Sequence, residues 1–372
     1  MVSSENKSKD DVVEDKNGEL TAHIQDVLDG AIGRHAIPGG AVAVITPDSP
    51  TPLFISAGRQ TYDTSSPLVD EHTVYDVASI TKLAPTTLLA MRLIEVDEMD
   101  IDAPIAQYLE AYRGGYRQEI TVKHLLSHAV DWGFSLASLK DAKADEILHA
   151  IFTAHPRSVP GISIHYSNIS SLLLGLIIER AYLGSLAEAA QLSIFGPLRM
   201  ESTTFYPLSQ FDPEQIAPTE IDDWRGGEVR GVVHDESAYV LSQAGLTVGS
   251  AGLFSTASDM SKIAKLLVSN GSSNGEAILS TETVPQMAEI AFPKASPSMG
   301  LGLSVGPSDV IGQKMPASVV YKTGFTGCLV AADLESNHAL VFLSNHTYPH
   351  RQPDKMVRND LFRKLCSEVF TS

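Results

Sequence analysis

The strand-like segments of this 372-residue chain lie at its two ends, and this arrangement limits its possible folds more than any other feature. Near the N-terminus, the short apolar segments 41–45 and 53–56 flank a turn rich in proline. Similar segments return near the C-terminus, at residues 302–305, 318–321, 329–332 and 339–343. The region between has mostly helical periodicity. We therefore predict an α/β (α+β) fold in which one antiparallel sheet is built from both termini and flanked by helices.

The same pattern predicts how the chain is divided. We expect a sheet domain formed by residues 18–78 and 300–372, and an inserted, mainly helical domain formed by residues 79–299. Residues 1–17 are polar and acidic and are expected to be a disordered tail. A ligand site is expected where the two domains meet, because ligand pockets occur preferentially at such junctions.

The charge balance excludes several classes of partner. Asp and Glu number 45 and Lys and Arg 27, which gives a net charge of −18 and repels nucleic acids and anionic membranes. The first twenty residues lack the apolar segment of a signal peptide, and the apolar run 172–178 is too short to cross a bilayer. We expect a cytoplasmic protein, if no leader was removed, that binds neither nucleic acid nor membranes. Cys328 and Cys366 are expected to be buried and unpaired.

The segment Ser79-Ile80-Thr81-Lys82 stands at the start of a predicted helix over residues 79–96. Residues three apart share a helix face, so the serine hydroxyl and the lysine ammonium can reach hydrogen-bond distance. A buried lysine beside a second cation loses its proton more easily and can then act as a base. Pro85 predicts a kink or a short first segment. Alone the pattern has little specificity, because Ser4 and Lys7 have the same spacing.

Two further motifs lie downstream. Tyr166-Ser167-Asn168 precedes a predicted helix over residues 169–181, and Lys322-Thr323-Gly324 ends a predicted strand. Asn168 is interpreted either as a helix N-cap or as a residue that faces the serine together with the Tyr166 phenol. Lys322 supplies a second cation and Gly324 allows close approach of the backbone to a ligand. The alternative for this motif is a strand end that runs into a turn.

In this order and rough spacing, the three motifs resemble the serine β-lactamase and penicillin-binding protein superfamily, especially class C β-lactamases and the esterases built on their fold. The resemblance covers about residues 20–370. Segments 231–236 and 251–257 are similar to a subgroup that contains D-alanyl-D-alanine carboxypeptidases, and 122–128 is similar to a sequence segment of the superfamily that ends in His-Thr-Ser-Gly. The chain departs from the pattern at 128–131, which read His-Ala-Val-Asp where the superfamily has His-Thr-Ser-Gly.

The resemblance implies the catalytic roles. Ser79 attacks a carbonyl carbon, while Tyr166 and Lys82 accept the hydroxyl proton and return it to the leaving group, and which of the two is the base stays open. The backbone N–H groups of Ser79 and Phe325 form the oxyanion hole.

The resemblance also implies the substrate-binding residues. Asn168 holds the substrate and orients Lys82, and Thr323 with Arg351 anchors a substrate carboxylate. The remaining members of the implied substrate site are Lys322, Gly324 and Phe325.

Other chemical patterns are weaker. Residues 271–275 and 302–306 match the G-x-S-x-G nucleophile elbow, but neither has the required strand before it and helix after it, so we interpret them as a surface turn and a plain strand. His124 and His128 are four residues apart without the glutamate of a zinc motif, and we interpret both as structural. We expect no metal and no cofactor.

We therefore predict a serine hydrolase that cleaves a small ester or amide, or a β-lactam, through an acyl-enzyme on Ser79. The alternatives are a D-alanyl-D-alanine carboxypeptidase or penicillin-binding protein and, from another class, a catalytically silent binding or scaffold homologue. The substrate, the deacylation rate and the oligomeric state are not specified by the sequence.

Overall fold

The computed structural model describes residues 9–49, 51–273, 275–352 and 355–371. In the order of the chain, the α-helices are α1 Lys9–Gly33, α2 Leu88–Glu95, α3 Val122–Leu126, α4 Ala144–Thr153, α5 Asn168–Tyr182, α6 Leu186–Ala190, α7 Glu236–Gln243, α8 Ala257–Val268, α9 Thr283–Ala288 and α10 Met356–Phe370. The strands are β1 Gly39–Ile45, β2 Leu53–Gly58, β3 Tyr75–Asp76, β4 Glu220–Asp222, β5 Gly227–Val229, β6 Phe254–Ser255, β7 Ser272–Ser273, β8 Glu276–Ala277, β9 Ser304–Val305, β10 Val319–Gly324, β11 Cys328–Asp333 and β12 His338–Ser344.

A six-stranded sheet joins the two ends of the chain, with the strand order β2-β1-β12-β11-β10-β9. Every pairing in this sheet is antiparallel, and β1 from the N-terminal part lies beside β12 from the C-terminal part. The predicted fold class is therefore confirmed. The shorter hairpins β4-β5 and β7-β8 and the pair β3-β6 lie outside this sheet.

Both faces of the sheet are covered, and successive residues of a strand pack into different cores because side chains alternate across a sheet. Val42 and Val44 of β1 belong to the core that contains residues of α1 and α10. Ala41 and Ala43 belong to a larger core that contains residues of the helical region, such as Leu172. Every residue of β1 is buried, which explains why this strand is a continuous apolar run in the sequence.

The predicted continuous helix over residues 79–96 is wrong, while the break predicted at Pro85 is confirmed. A short 3₁₀-helix, Ala78–Lys82, is followed by a π-helical turn, Leu83–Thr87, and only then by α2. Ala84 has non-helical angles (φ −114°, ψ 110°) because the proline ring disfavours the α conformation in the residue before it. Ser79 and Lys82 thus lie in a tight turn that the rest of the helix does not extend.

The ends of the chain differ in part from the prediction. Helix α1 begins at Lys9, so residues 9–17 of the predicted tail are helical, and residues 1–8 lie outside the described residues. Cys328 and Cys366 are buried and free, as predicted. Within the described ranges no single helix is long and apolar enough to cross a membrane; the bent pair Asn168–Tyr182 and Leu186–Phe195 meets that test by length and composition only. The division into a sheet domain and a helical domain stays a prediction.

Candidate active site

The turn that carries Ser79 is fixed by a buried carboxylate. Ala78 has a left-handed φ of 47°, an uncommon angle for a residue with a side chain. Asp76 Oδ1 accepts the Ala78 N–H at 2.8 Å, and Asp76 Oδ2 accepts the His234 N–H at 2.7 Å. The Thr326 hydroxyl donates to the Asp76 carbonyl at 2.7 Å. The backbone before Ser79 is thus tied both to residue 234 and to the loop after β10.

Lys82 is the centre of the site. Its Nζ donates to Ser79 Oγ at 3.0 Å, to Asn168 Oδ1 at 2.8 Å and to the Ser250 carbonyl at 2.6 Å. Residues three apart lie on the same side of a 3₁₀-helix, which brings the lysine side chain to the serine. Only 2% of Lys82 is exposed, and burial lowers its pKa to about 7, although the negative charge of Asp235 opposes that shift. A large fraction of Lys82 is therefore neutral near pH 7.

Tyr166 lies over two lysines. Its ring centroid is 5.1 Å from Lys82 Nζ and 5.2 Å from Lys322 Nζ, although 54% of the residue is exposed. Lys322 is buried on β10, and burial lowers its pKa to about 8; Tyr166 opposes this shift and Lys82 adds to it. The structure thus brings together Ser79, Lys82, Tyr166 and Lys322, which are widely separated in the sequence.

The sequence allows two interpretations of Asn168, a helix N-cap or a residue that faces the serine. Helix α5 begins at Asn168, but its N-cap is Ser167, whose hydroxyl accepts the Ile169 N–H at 3.1 Å. The interpretation of Asn168 as the N-cap is therefore wrong. Its amide is instead held at both ends, because Nδ2 donates to Asp235 Oδ2 at 2.8 Å while Oδ1 accepts from Lys82. These contacts hold the Asn168 amide between Asp235 and Lys82, and the role of Asn168 in orienting the lysine stays a prediction.

The end of β10 packs directly against the turn before Ser79. A Cβ atom placed on Gly324 would lie 2.5 Å from the Val77 carbonyl oxygen, so only glycine allows this approach. Phe325 follows the strand with 38% of its surface exposed, and Thr323 is half-buried. The predicted oxyanion-hole residues, Ser79 and Phe325, thus belong to two backbone segments that touch.

Arg351 lies beside the site, but its guanidinium is already paired. It donates to Glu220 from Nε and NH2 and to Glu236 from NH1 at 2.7 Å, and its Cζ is 5.8 Å from the Phe325 ring centroid. The hydrogen bonds with Glu220 raise the pKa of Arg351 above its ordinary value. This pairing gives no support to the prediction that Arg351 anchors a substrate carboxylate, and it places the residue as a support for Phe325.

Three consecutive residues that sequence reasoning did not assign to the site contact different parts of it. His234 stacks on the Phe325 ring with centroids 5.7 Å apart, and its Nε2 lies 2.9 Å from Glu220. Asp235 holds Asn168, and Glu236 holds Arg351. The only signal was the resemblance of segment 231–236 to one subgroup, which gives no role to any of the three residues.

The two histidines of segment 122–128 have different surroundings. His124 Nδ1 accepts the Thr121 N–H at 3.0 Å in the capping box of α3. His128 is buried with its ring centroid 4.7 Å from that of Tyr166, and its Nδ1 accepts the Ser167 N–H at 3.4 Å. Burial and the nearby charges of Lys322 and Lys82 keep the pKa of His128 well below its ordinary value. His128 therefore packs, neutral, against the motif tyrosine.

The two G-x-S-x-G segments are not nucleophile elbows. Ser272 and Ser273 form β7 of a hairpin that follows helix α8, and Ser304 lies in the edge strand β9. Neither has the strand–turn–helix context that exposes a nucleophile. Within the described ranges, no group of three or more His, Cys, Asp or Glu residues could hold a metal ion.

A sheet flanked by helices, with a serine hydroxyl bonded to a buried lysine, is the arrangement of the S-x-x-K class of serine hydrolases. Residues 20–362, most of the chain, match the family model described as Beta-lactamase. The chain therefore belongs to the Beta-lactamase family.

Curated relatives agree with this assignment. A protein of Escherichia coli O157:H7 named "Putative D-alanyl-D-alanine carboxypeptidase" is 28% identical over 316 residues, which cover 76% of this chain and 71% of the relative. A protein of the same name from Salmonella typhi is 27% identical over 314 residues, or 75% and 70% of the two chains.

Solved structures show the same fold. EstCE1, described as a hydrolase with promiscuous acyltransferase activity, aligns with a TM-score of 0.73 at 19% identity and covers 93% of this chain and 99% of its own. The octameric penicillin-binding protein homologue from Pyrococcus abyssi has a TM-score of 0.69 at 21% identity, with 92% and 76% covered. Simvastatin synthase from Aspergillus terreus has a TM-score of 0.73 at 19% identity, with 94% and 98% covered.

Proposed function

We propose that this serine hydrolase cleaves a small ester or amide through an acyl-enzyme formed on Ser79. The observation that carries the proposal is the 3.0 Å hydrogen bond between Lys82 Nζ and Ser79 Oγ, made by a lysine whose pKa is lowered to about 7 by burial. A neutral amine at this distance can take the hydroxyl proton as the oxygen attacks. A binding module has no need for a lysine in this state.

The proposed reaction assigns one task to each of these groups. As Lys82 takes the proton, Ser79 Oγ forms a bond to the carbonyl carbon, and the carbonyl oxygen becomes an oxyanion between the N–H groups of Ser79 and Phe325. The bond to the leaving group then breaks, and that group receives a proton from Lys82 through the exposed Tyr166 hydroxyl. Water attacks the acyl-enzyme by the same steps and releases the acid. We propose Lys82, rather than Tyr166, as the base because the Lys82 amine contacts Ser79 Oγ.

A second candidate, D-alanyl-D-alanine carboxypeptidase activity, is favoured by the names of the relatives that are 27–28% identical. EstCE1, a structural neighbour, is described as a hydrolase with promiscuous acyltransferase activity, a description that is compatible with a small ester or amide. The two candidates differ in substrate and use the same proposed chemistry, so kinetics with p-nitrophenyl acetate, nitrocefin and a D-Ala-D-Ala peptide, measured side by side, separate them. Turnover of the peptide without turnover of the ester would make the carboxypeptidase the better assignment.

A fluorophosphonate probe is expected to label the wild-type protein once, on Ser79. The serine oxygen forms a bond to phosphorus and fluoride leaves, a reaction that requires an activated hydroxyl. Intact mass and peptide mapping measure the stoichiometry and the site. The peptides that contain Ser272 and Ser304 are internal controls. They should stay unmodified, because neither serine lies in a nucleophile elbow with a base beside it. A protein that is not labelled and does not hydrolyse activated esters would be a silent binding homologue.

The pH dependence of kcat/KM is expected to have an acid limb near pH 7, because only neutral Lys82 can accept the proton. Lys322, His128, Tyr166 and Asp235 are the other titratable groups around it. Asp235→Asn removes the charge that raises the pKa of Lys82, so the limb should move to lower pH, while asparagine retains the N-cap of α7. Asp360→Asn, which removes one exposed carboxylate from α10, is the control and should leave the limb in place. A limb that stays unmoved in Asp235→Asn would show that Lys82 is not the group that titrates.

A further inference from the structure

The short hairpin β4-β5, which lies outside the main sheet, carries a buried carboxylate. This is Glu220, of which only 7% is exposed. The residues on either side of it are bonded to the loop after β12. The Thr219 carbonyl accepts the Thr347 hydroxyl at 2.6 Å, and the Ile221 N–H donates to the carbonyl of residue 349 at 2.7 Å. The backbone on both sides of Glu220 is therefore held in place.

The Glu220 carboxylate binds two side chains that contact the same aromatic ring. Its Oε2 lies 2.9 Å from His234 Nε2 and accepts from Nε and NH2 of Arg351. His234 stacks on the Phe325 ring with an angle of 19° between the planes, and Arg351 Cζ is 5.8 Å from the centroid of that ring. Glu220 thus joins the two groups that contact Phe325.

Glu220 is ionised at neutral pH. Burial raises its pKa, but hydrogen bonds from His234 and Arg351 outweigh burial and hold the pKa below its ordinary value. An ionised carboxylate only accepts hydrogen bonds, so His234 Nε2 donates to it. Hydrogen bonds to a charged group are shorter and stronger than neutral ones, which suits the cluster to hold a ring in one position.

The position of the Phe325 ring is coupled to the direction of its N–H. Both neighbours of Phe325 are fixed, because Gly324 packs against the Val77 carbonyl and the Thr326 hydroxyl donates to the Asp76 carbonyl at 2.7 Å. The freedom that is left is rotation of the peptide between Gly324 and Phe325. That rotation would turn the N–H and displace the ring together.

We propose that Glu220 is a positioning residue for the oxyanion hole, which acts through His234 and Arg351 to fix the Phe325 ring and, with it, the direction of the Phe325 N–H. The inference rests on the proposed function and goes beyond it, because it names what holds one of the proposed donors in place. It also gives the hairpin β4-β5 a role in the reaction.

Glu220→Gln is expected to lower kcat/KM for p-nitrophenyl acetate by about 10- to 100-fold, because a misplacement of about 1 Å can cost roughly 100-fold. Glutamine keeps the shape but loses the charge, and its NH2 group is a donor among donors. The loss should be in kcat, since contacts to the oxyanion are made in the transition state. The control is Glu228→Gln on β5 of the same hairpin, which is also paired with an arginine and should stay within about twofold of the wild type.

A double-mutant cycle shows whether Glu220 acts through the ring. Phe325→Leu keeps the backbone N–H but removes the ring, and it should itself lower kcat. Adding Glu220→Gln to Phe325→Leu should then cost less than about twofold more, because the two changes break the same connection. If Glu220→Gln lost as much rate in the Phe325→Leu background as in the wild type, Glu220 would act by another route and the proposal would be overturned.

The carbonyl stretch of the acyl-enzyme reports on the oxyanion hole directly, because hydrogen bonds to the carbonyl oxygen polarise the bond and lower its frequency. p-Nitrophenyl trimethylacetate, labelled with ¹³C at the carbonyl carbon, acylates Ser79 and releases p-nitrophenol. In infrared difference spectra, the labelled band should lie at higher wavenumber in Glu220→Gln than in the wild type and in Glu228→Gln.

Thermal unfolding checks that each variant is folded. If Glu220→Gln does not fold, His234→Phe takes its place, because it keeps a ring on Phe325 and breaks the contact with Glu220; it should lose about tenfold in kcat. A wild-type rate and band position in a folded variant would overturn the positioning role and leave the proposed function intact. A wild-type protein that neither hydrolyses p-nitrophenyl acetate nor is acylated would contradict the proposed function itself.

Discussion

Lys82→Met is expected to lower kcat/KM for an activated ester by roughly 100- to 10,000-fold, the range typical for loss of a general base. Methionine has a similar length and fits a buried site, but it removes the amine that contacts Ser79 Oγ at 3.0 Å. It also leaves the Asn168 amide oxygen and the Ser250 carbonyl without their donor. Stopped-flow measurement of p-nitrophenol release would separate slower acylation from slower deacylation.

A matched variant shows whether the loss is specific. Lys364→Met replaces an exposed lysine of α10 and should leave the rate within about twofold of the wild type, since surface substitutions are usually close to neutral. Thermal unfolding of both variants checks that they are folded. If Lys82→Met retained more than a tenth of the wild-type rate in a folded protein, the lysine could not be the base, and Tyr166 would be the remaining candidate.

The sequence predicted the parts of the fold that depend on periodicity. The strands are apolar runs bounded by turns, and their places at the two ends of the chain were sufficient to predict one antiparallel sheet. The helix over residues 79–96 was predicted wrongly because its apolar periodicity continues across a backbone break, which side-chain pattern cannot show. Pro85 was the one residue in this segment from which the break was predicted, and its effect on Ala84 is the physical cause of the break.

From the sequence, the candidate site could be predicted only where its residues belong to short motifs. Ser79 and Lys82 meet because their spacing is local, whereas Tyr166 and Lys322 were linked to them only through a resemblance. Asp235 was missed because its contact with Asn168 joins residues 67 positions apart, and an aspartate before an apolar segment is equally typical of a helix cap. The structure shows that it does both, since Oδ1 caps α7 and Oδ2 holds Asn168.

The segment 234–236 connects the two halves of the proposed mechanism. His234 contacts both segments that we propose to form the oxyanion hole, through its N–H to Asp76 before Ser79 and through its ring to Phe325. Asp235 acts on the base side, through Asn168 to Lys82. A shift of this segment would therefore change the positions of nucleophile, base and oxyanion donors together. Mutational effects within it are expected to be non-additive, because the residues share partners.

Gly324→Ala is expected to lower kcat by roughly 100- to 1,000-fold, the cost of losing one oxyanion-hole donor. The added Cβ would lie 2.5 Å from the Val77 carbonyl oxygen, so β10 must move away from the turn that carries Ser79. That movement withdraws the Phe325 N–H from the carbonyl oxygen of the substrate, while Lys82 and Ser79 stay in contact. Fluorophosphonate labelling should therefore be slowed rather than abolished.

The control is Gly18→Ala in α1, where nothing lies within 4 Å of the new Cβ; alanine favours a helix over glycine, and the rate should be unchanged. If Gly324→Ala loses activity while its Tm stays close to that of the wild type, the effect is local and not a general destabilisation. Wild-type kcat in Gly324→Ala would mean that the strand end can yield without disturbing the oxyanion site, and the role proposed for Phe325 would then have to be abandoned. Because Ala is compatible with an extended backbone, any loss of rate must come from the lost approach between the two segments rather than from strain within β10.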